Sequence, residues 1–245
     1  LQGREIAQGF ALAQTRVDLG GRCIGDVYAR GKHLFIELDA DRVLRSHLGM
    51  WGSWHAYAPD EPWKRPHERA SILIDIGSRI FVCFQAKEVE WQHRRGVSQR
   101  RLKQQLGPDL LNPGVSFDTI LQRARALSSK QRPICDVLLD QKIACGIGNV
   151  YKSETLFVSR RHPSTPLAQF DDADLKKLFS EARTLLAGNT RGGPRITRRA
   201  HDEAARLWVY GRTAQPCLIC DTPIESKMLG EHQRSTFWCP NCQPV

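Results

Sequence analysis

No uninterrupted apolar stretch in these 245 residues approaches the ~20 residues that cross a bilayer, so a membrane-spanning helix is excluded. The opening Leu1-Gln2-Gly3-Arg4 has no basic segment leading into an apolar core, and no export signal is read there. Internal repeats and low-complexity tracts are also missing, which excludes solenoids and arrays. Acid is in short supply: 36 Lys+Arg stand against 26 Asp+Glu, a net charge of +10. Such an excess favours a polyanionic partner, nucleic acid or an acidic membrane surface, over a merely basic globular protein. With 41% apolar and 25% charged residues the chain is neither disordered nor collagenous. Its length allows one large domain or two modest ones.

Eight cysteines are present. Cys23, Cys83, Cys135 and Cys145 are scattered, whereas Cys217-x2-Cys220 and Cys239-x2-Cys242 form two tight pairs 18 residues apart. Each CxxC turn aims two sulfurs at one point, and a hairpin between them would bring four thiolates around one tetrahedral Zn²⁺. The alternative is two disulfides. A basic chain with isolated cysteines and no export signal points instead to a reducing compartment. Four protein ligands leave no open position, so one structural zinc is expected, supplying much of the folding energy of a short segment.

Residues 1–92 read as strands: Ile24–Tyr28, Leu34–Leu38, Val43–Leu48, Ser71–Ile76 and Arg79–Phe84 are rich in β-branched and aromatic residues and separated by turn signals. Many short consecutive strands suggest a β-sandwich. Residues 93–105 form a basic connector, with Arg94, Arg95, Arg100, Arg101 and Lys103 and no acid. Helical spacing follows within 106–212: Phe117–Leu127 with Ser116 as N-cap, Pro133–Gln141, Val150–Ser159 and Asp172–Leu186. Within that span the Gly- and Arg-rich residues 188–206 read as a long functional loop. Residues 213–245 form the zinc finger. The expected class is α+β: a β-sandwich, a connector, a helical domain and a zinc hairpin.

Several clusters carry candidate chemistry. Gly146-Ile147-Gly148-Asn149 lies between two short helices, where N–H groups of the following helix can hold a phosphate. The Asn149 amide adds a donor and Lys152, one turn on, adds charge; a plain helix connection is the bland alternative. Lys32, in Arg30-Gly31-Lys32-His33, is either a solvated turn residue or a phosphate contact and proton donor. Met50 and Trp51, flanked by glycines, are core on composition, or else wedges that fill the hole left by an unstacked base. Arg234, just before the second CxxC, can bind phosphate in a groove. Arg212, in Val209-Tyr210-Gly211-Arg212, is a further phosphate candidate.

Taken together, RGKH (30–33), SHLGMWGSW (46–54), LGPDLL (106–111), LLDQKIACGIGNVYKSE (138–154), VYGR (209–212) and RSTFWCPNCQ (234–243) resemble the formamidopyrimidine-DNA glycosylase / endonuclease VIII family, in order along nearly the whole chain. The stretch WHAYAPDEPWKRP (54–66) is similar to the endonuclease VIII branch. The resemblance implies a two-domain clamp: a β-sandwich, then a helix–two-turn–helix domain with a zinc finger. It implies base-excision repair, with a damaged base rotated into a pocket and the abasic strand cut by β/δ-elimination. It makes Asn149 the phosphate-binding residue and Lys32 the lysine that contacts phosphate and donates a proton. Arg234 becomes the zinc-finger arginine, tied to phosphate binding and to catalysis of δ-elimination, Met50 with Trp51 the void fillers, and 188–206 the lesion-sensing flap. The partner implied is double-stranded DNA with damaged bases or abasic sites, bound by a monomer with no membrane, in a bacterial-type cytoplasm at the nucleoid.

The family's nucleophile is an N-terminal proline followed by glutamate, an amine whose pKa near 8 leaves an appreciable unprotonated fraction near neutrality. Here residue 1 is Leu, and the first prolines are Pro59, Pro62 and Pro66. A fragment or misplaced start is therefore expected, with roughly 20 residues, a helix and its lead-in, lying upstream. Gly49 stands where some endonuclease VIII members carry a polar void filler, and Gln105 where an Arg can contact DNA. Two other readings stand beside this one: a damaged-DNA-binding protein without lyase chemistry, and an unrelated zinc-ribbon RNA- or ribosome-binding protein.

Overall fold

The computed structural model describes residues 1–96, 106–191, 193–198 and 205–245. Most of the expected connector (97–105, including Gln105) and part of the expected flap (192 and 199–204) lie outside the described residues. The class is α+β, and the chain divides into two compact units, Leu1–Gln104 and Gln105–Val245. No helix among the described residues is long and apolar enough to cross a membrane.

The first unit holds β1 (Gln8–Leu12), β2 (Arg16–Asp18), β3 (Ile24–Arg30), β4 (His33–Leu38), β5 (Arg42–His47), β6 (Ser53–Tyr57), β7 (Ala70–Asp75), β8 (Ile80–Phe84) and β9 (Glu88–His93). They form a five-stranded sheet, β2-β1-β7-β8-β6, and a four-stranded sheet, β3-β4-β5-β9. Ala11, Ile72, Ile74 and Cys83 of one sheet pack on Ile24, Ile36, Leu38 and Leu44 of the other. Alternation explains this: in β7, Ala70, Ile72 and Ile74 are buried while their neighbours are not. Strand β9, Glu88-Val-Glu-Trp-Gln-His, lacks an apolar run but alternates in the same way. Val89 and Trp91 join the core, while Glu88 and Glu90 meet the buried Arg45 of β5.

The second unit holds α1 (Phe117–Leu127), α2 (Ile134–Leu139), α3 (Asn149–Val158) and α4 (Asp172–Ala187), then the hairpin β10 (Glu225–Leu229) and β11 (Arg234–Trp238). The caps are readable. Ser116 Oγ accepts from Thr119 N at 3.2 Å, and Asp171 Oδ1 from Asp174 N at 2.7 Å. Apolar faces meet in one core that includes Leu121, Ile134, Leu138, Ile147, Leu156, Leu175 and Phe179. Helix bounds differ from expectation at both ends of α2 and α3 and at the C-terminal end of α4. Pro133 is the N-cap of α2 rather than its first residue, and α3 begins at Asn149, so the asparagine belongs to the first turn of the helix.

Candidate nucleic-acid interface

In the first unit, Gly31 and Lys32 alone join β3 to β4, and Lys32 is exposed at that tip. Behind it, His33 and His47 are paired across β4 and β5 with ring centroids 4.8 Å apart. Arg45 Nη1 donates to His33 Nδ1 at 2.6 Å, and the same guanidinium holds Glu88 and Glu90. Burial first, then Arg45, pushes the His33 imidazole down to about 4, so it is neutral at pH 7 and accepts that bond. Sequence reasoning missed this network, whose only signal is the alternation of charge along β9.

Met50 and Trp51 are 79% and 73% exposed at the turn between β5 and β6. The core placement favoured by composition is therefore corrected. The tight turn after β5 projects both side chains into solvent.

In the second unit, the Gly146–Asn149 turn and the hairpin are one assembly. Asn149 Nδ2 donates to the Ser235 carbonyl at 2.7 Å. Lys152 is completely buried, and its Nζ donates to Asn149 Oδ1 (2.8 Å), Thr236 Oγ1 (2.6 Å) and the Ser235 carbonyl (3.3 Å). The expectation that Lys152 contacts phosphate is thus corrected. The spacing Asn149-x2-Lys152 puts both side chains on one helix face, and β11 closes over that face. Burial lowers its ammonium to about 8, still protonated at neutrality. Thr236 Oγ1 in turn donates to the Arg234 carbonyl at 2.9 Å. The Arg234 side chain is exposed at the start of β11. The first turn of α3 has no side-chain cap, so its N–H groups and dipole suit an anion.

Arg212 is also corrected. It is 8% exposed, and its guanidinium donates to the carbonyls of Trp208 (2.6 Å) and Pro216 (2.8 Å) and to Gln215 Oε1 (3.2 Å). It binds the chain entering the zinc finger instead of facing solvent. Glu154, unnoticed in the sequence except as the end of a motif, is fully buried. Its carboxylate accepts from the backbone N–H of Trp208, Val209 and Tyr210 at 2.8–2.9 Å and from the Thr197 hydroxyl. It ties α3 to both the expected flap and the segment before the zinc finger.

Cys217, Cys220, Cys239 and Cys242 bring their Sγ atoms within 4.8 Å of one another. Measured separations are 3.9 Å (217–242), 3.5 Å (220–239) and 3.4 Å (220–242). Four sulfurs at ~2.3 Å from a tetrahedral ion lie about 3.8 Å apart, so this donor set fits one zinc. Those separations far exceed the ~2.05 Å of an S–S bond, so no disulfide joins these four. Hydrogen bonding with Thr222 and Asn241 lowers the Cys220 thiol to about 5, while burial raises Cys239 and Cys242. The far end of the hairpin is anchored separately. Glu231 N donates to Asp136 Oδ2 at 3.0 Å, and Arg132 bridges Asp140 (2.9 Å) and Glu231 (3.0 Å).

Comparison with known proteins agrees with this architecture. Three family models match in order: the formamidopyrimidine-DNA glycosylase N-terminal domain over residues 2–96, its H2TH domain over 106–199, and a zinc finger found in FPG and IleRS over 214–245. The chain is 35% identical over 230 residues to a probable endonuclease 8 2 of Streptomyces coelicolor, covering 93% of this chain and 81% of that protein. It is 34% identical over 227 residues to the DNA-(apurinic or apyrimidinic site) lyase Nei2 of Mycolicibacterium smegmatis, covering 93% and 85%. Its fold matches Lactococcus lactis Fpg, solved with DNA containing an abasic site, with a TM-score of 0.80 at 22% identity, over 100% of this chain and 94% of that one. The zinc-finger match and the four converging sulfurs assign one structural zinc to Cys217, Cys220, Cys239 and Cys242. By sequence, domain order and fold, the chain belongs to the formamidopyrimidine-DNA glycosylase / endonuclease VIII family.

Proposed function

We propose that this protein is a base-excision-repair DNA glycosylase with AP lyase activity, acting as a monomer on double-stranded DNA that carries damaged bases or abasic sites. The observation that carries this reading is the union of the Gly146–Asn149 turn with the Arg234 hairpin through Lys152. It is supported by relatives named as endonuclease 8 and as an apurinic-site lyase. An uncapped helix start and an exposed arginine, held together by buried hydrogen bonds, suit adjacent phosphates of one strand. Met50 and Trp51 enter the space vacated by the extruded nucleotide. Elimination at an abasic sugar expels a phosphate anion, and in δ-elimination the Arg234 guanidinium lowers the energy of that developing charge. Lys32 donates a proton. The net charge of +10 suits residence on the bacterial nucleoid.

Borohydride added to the full-length protein on a duplex with one abasic site is expected to trap a covalent protein–DNA adduct. Absence of the adduct with retained preference for the abasic duplex would reassign the protein as a damaged-DNA binder without lyase chemistry. Equal affinity for RNA and intact duplex would overturn both readings.

A further inference from the structure

The exposed Met50–Trp51 turn is held more firmly than a solvent-facing loop requires. Gly49, at φ +65, sends the chain into the turn in a left-handed conformation. Gly52 returns it, donating its N–H to the Leu48 carbonyl at 3.1 Å. A Cβ on Gly52 would run into that carbonyl and lie 2.9 Å from the Gln85 carbonyl, so the turn is pressed against the residue that follows β8. Gln85 itself has φ 48, an uncommon value for a non-glycine residue. Its N–H is pinned to the Arg69 carbonyl at 2.9 Å. Half-buried Arg65, from the segment between β6 and β7, closes the arrangement. One guanidinium nitrogen, Nη1, donates to the Trp51 carbonyl at 3.1 Å and to Gln85 Oε1 at 3.2 Å.

We infer that Arg65 is a positioning residue for base extrusion: by clamping the Trp51 carbonyl to Gln85, it holds the Met50–Trp51 wedge in its projecting conformation before DNA arrives. This inference rests on the DNA-repair reading above. An unbraced turn with two large apolar side chains would collapse onto the sheet or sample many conformers, few of them poised to part a stacked step. Arg65 binds the peptide of the wedge, and that turn is the route by which it acts on the DNA. It therefore governs the opening of a stacked lesion, and not the grip on a strand already open.

The test uses two duplexes, each with 2-aminopurine beside the target: one carries a paired, stacked lesion, the other an abasic analogue with no base opposite. In the parent protein, stopped-flow mixing with the first duplex gives a rise in 2-aminopurine fluorescence as the step unstacks. Arg65→Ala is expected to slow that rise about tenfold, the loss of two modest hydrogen bonds. Its affinity for the second duplex is expected to stay within about twofold of the parent. Arg65→Lys, which keeps one donor, should recover part of the rate. Gln85→Ala, which leaves the Arg65–Trp51 bond in place, should give a smaller defect and serves if Arg65→Ala folds poorly. Unchanged opening rates in both Arg65→Ala and Gln85→Ala, or equal losses on the two duplexes, would overturn the inference. Failure of the parent to unstack the reporter while still binding would overturn the repair reading and the inference with it.

Discussion

Removing the metal from the four-thiolate site is expected to unfold the hairpin and cost at least about a hundredfold in affinity for an abasic duplex, while most helical signal survives. The hairpin has little apolar support of its own: Phe157, Val209, Ile224 and the cysteines form a small cluster. A structural zinc supplies folding free energy of about 10 kcal/mol or more, and nothing else in that cluster replaces it. The helices pack in a separate core around Leu138, Leu156 and Phe179, which does not include the four ligands. Loss of the hairpin would also take Thr236 and the Ser235 carbonyl away from Lys152, stranding a buried ammonium. Colorimetric zinc release on thiol modification should give one ion per chain, and anisotropy with labelled duplex should follow the loss of binding. Metal-free protein that keeps its affinity would contradict this.

Lys152→Met should be the most damaging single substitution outside the cysteines. Methionine keeps the length and apolar stem of lysine but removes three hydrogen bonds, leaving Asn149 Oδ1 and the Ser235 carbonyl with fewer partners. About 2–4 kcal/mol of stability is expected to go, measured by denaturant melts. DNA affinity should fall as well, since Asn149 and Arg234 lose their common anchor. The salt dependence separates positioning from contact. Lys152 touches no phosphate, so the slope of log K against log salt should match the parent; Arg234→Ala, which removes an exposed cation, should lower the slope by about one.

The same lysine gives a pH signature. Burial lowers its folded value to about 8, below the ordinary 10.5. Between those values the unfolded chain keeps a proton that the folded chain has released. Stability from this group therefore rises with pH across that window and is lost as pH falls through 8. The stability gap between the parent and Lys152→Met should widen from pH 8 to pH 10.

The sequence shows the zinc ligands and the Gly146–Asn149 turn plainly, because CxxC spacing and a GxGN turn are local patterns. The caps Ser116 and Asp171 are local too, and they mark where α1 and α4 begin. Strands β1, β2 and β6 are less visible. Gln8-Gly-Phe-Ala-Leu carries little β-branched character and becomes a strand by pairing with β7 on one side and β2 on the other. Lys152 and Arg212 look like surface cations in any window of sequence, because what buries them comes from elsewhere in the fold or from a turn doubling back. β11 closes over Lys152 from 84 residues away, and the Pro216 and Trp208 carbonyls enclose Arg212. Met50 and Trp51 err in the opposite direction. Apolar composition suggests core, but a tight turn braced by Arg65 keeps them outside.

Equilibrium anisotropy on matched duplexes, one intact and one with a single abasic-site analogue, at the same salt concentration, tests the proposed DNA-repair role most directly. A protein that spends binding energy on opening a helix at a flaw should prefer the abasic duplex at least about thirtyfold, the ratio given by about 2 kcal/mol of spared unstacking. Equal dissociation constants for the two duplexes would contradict it.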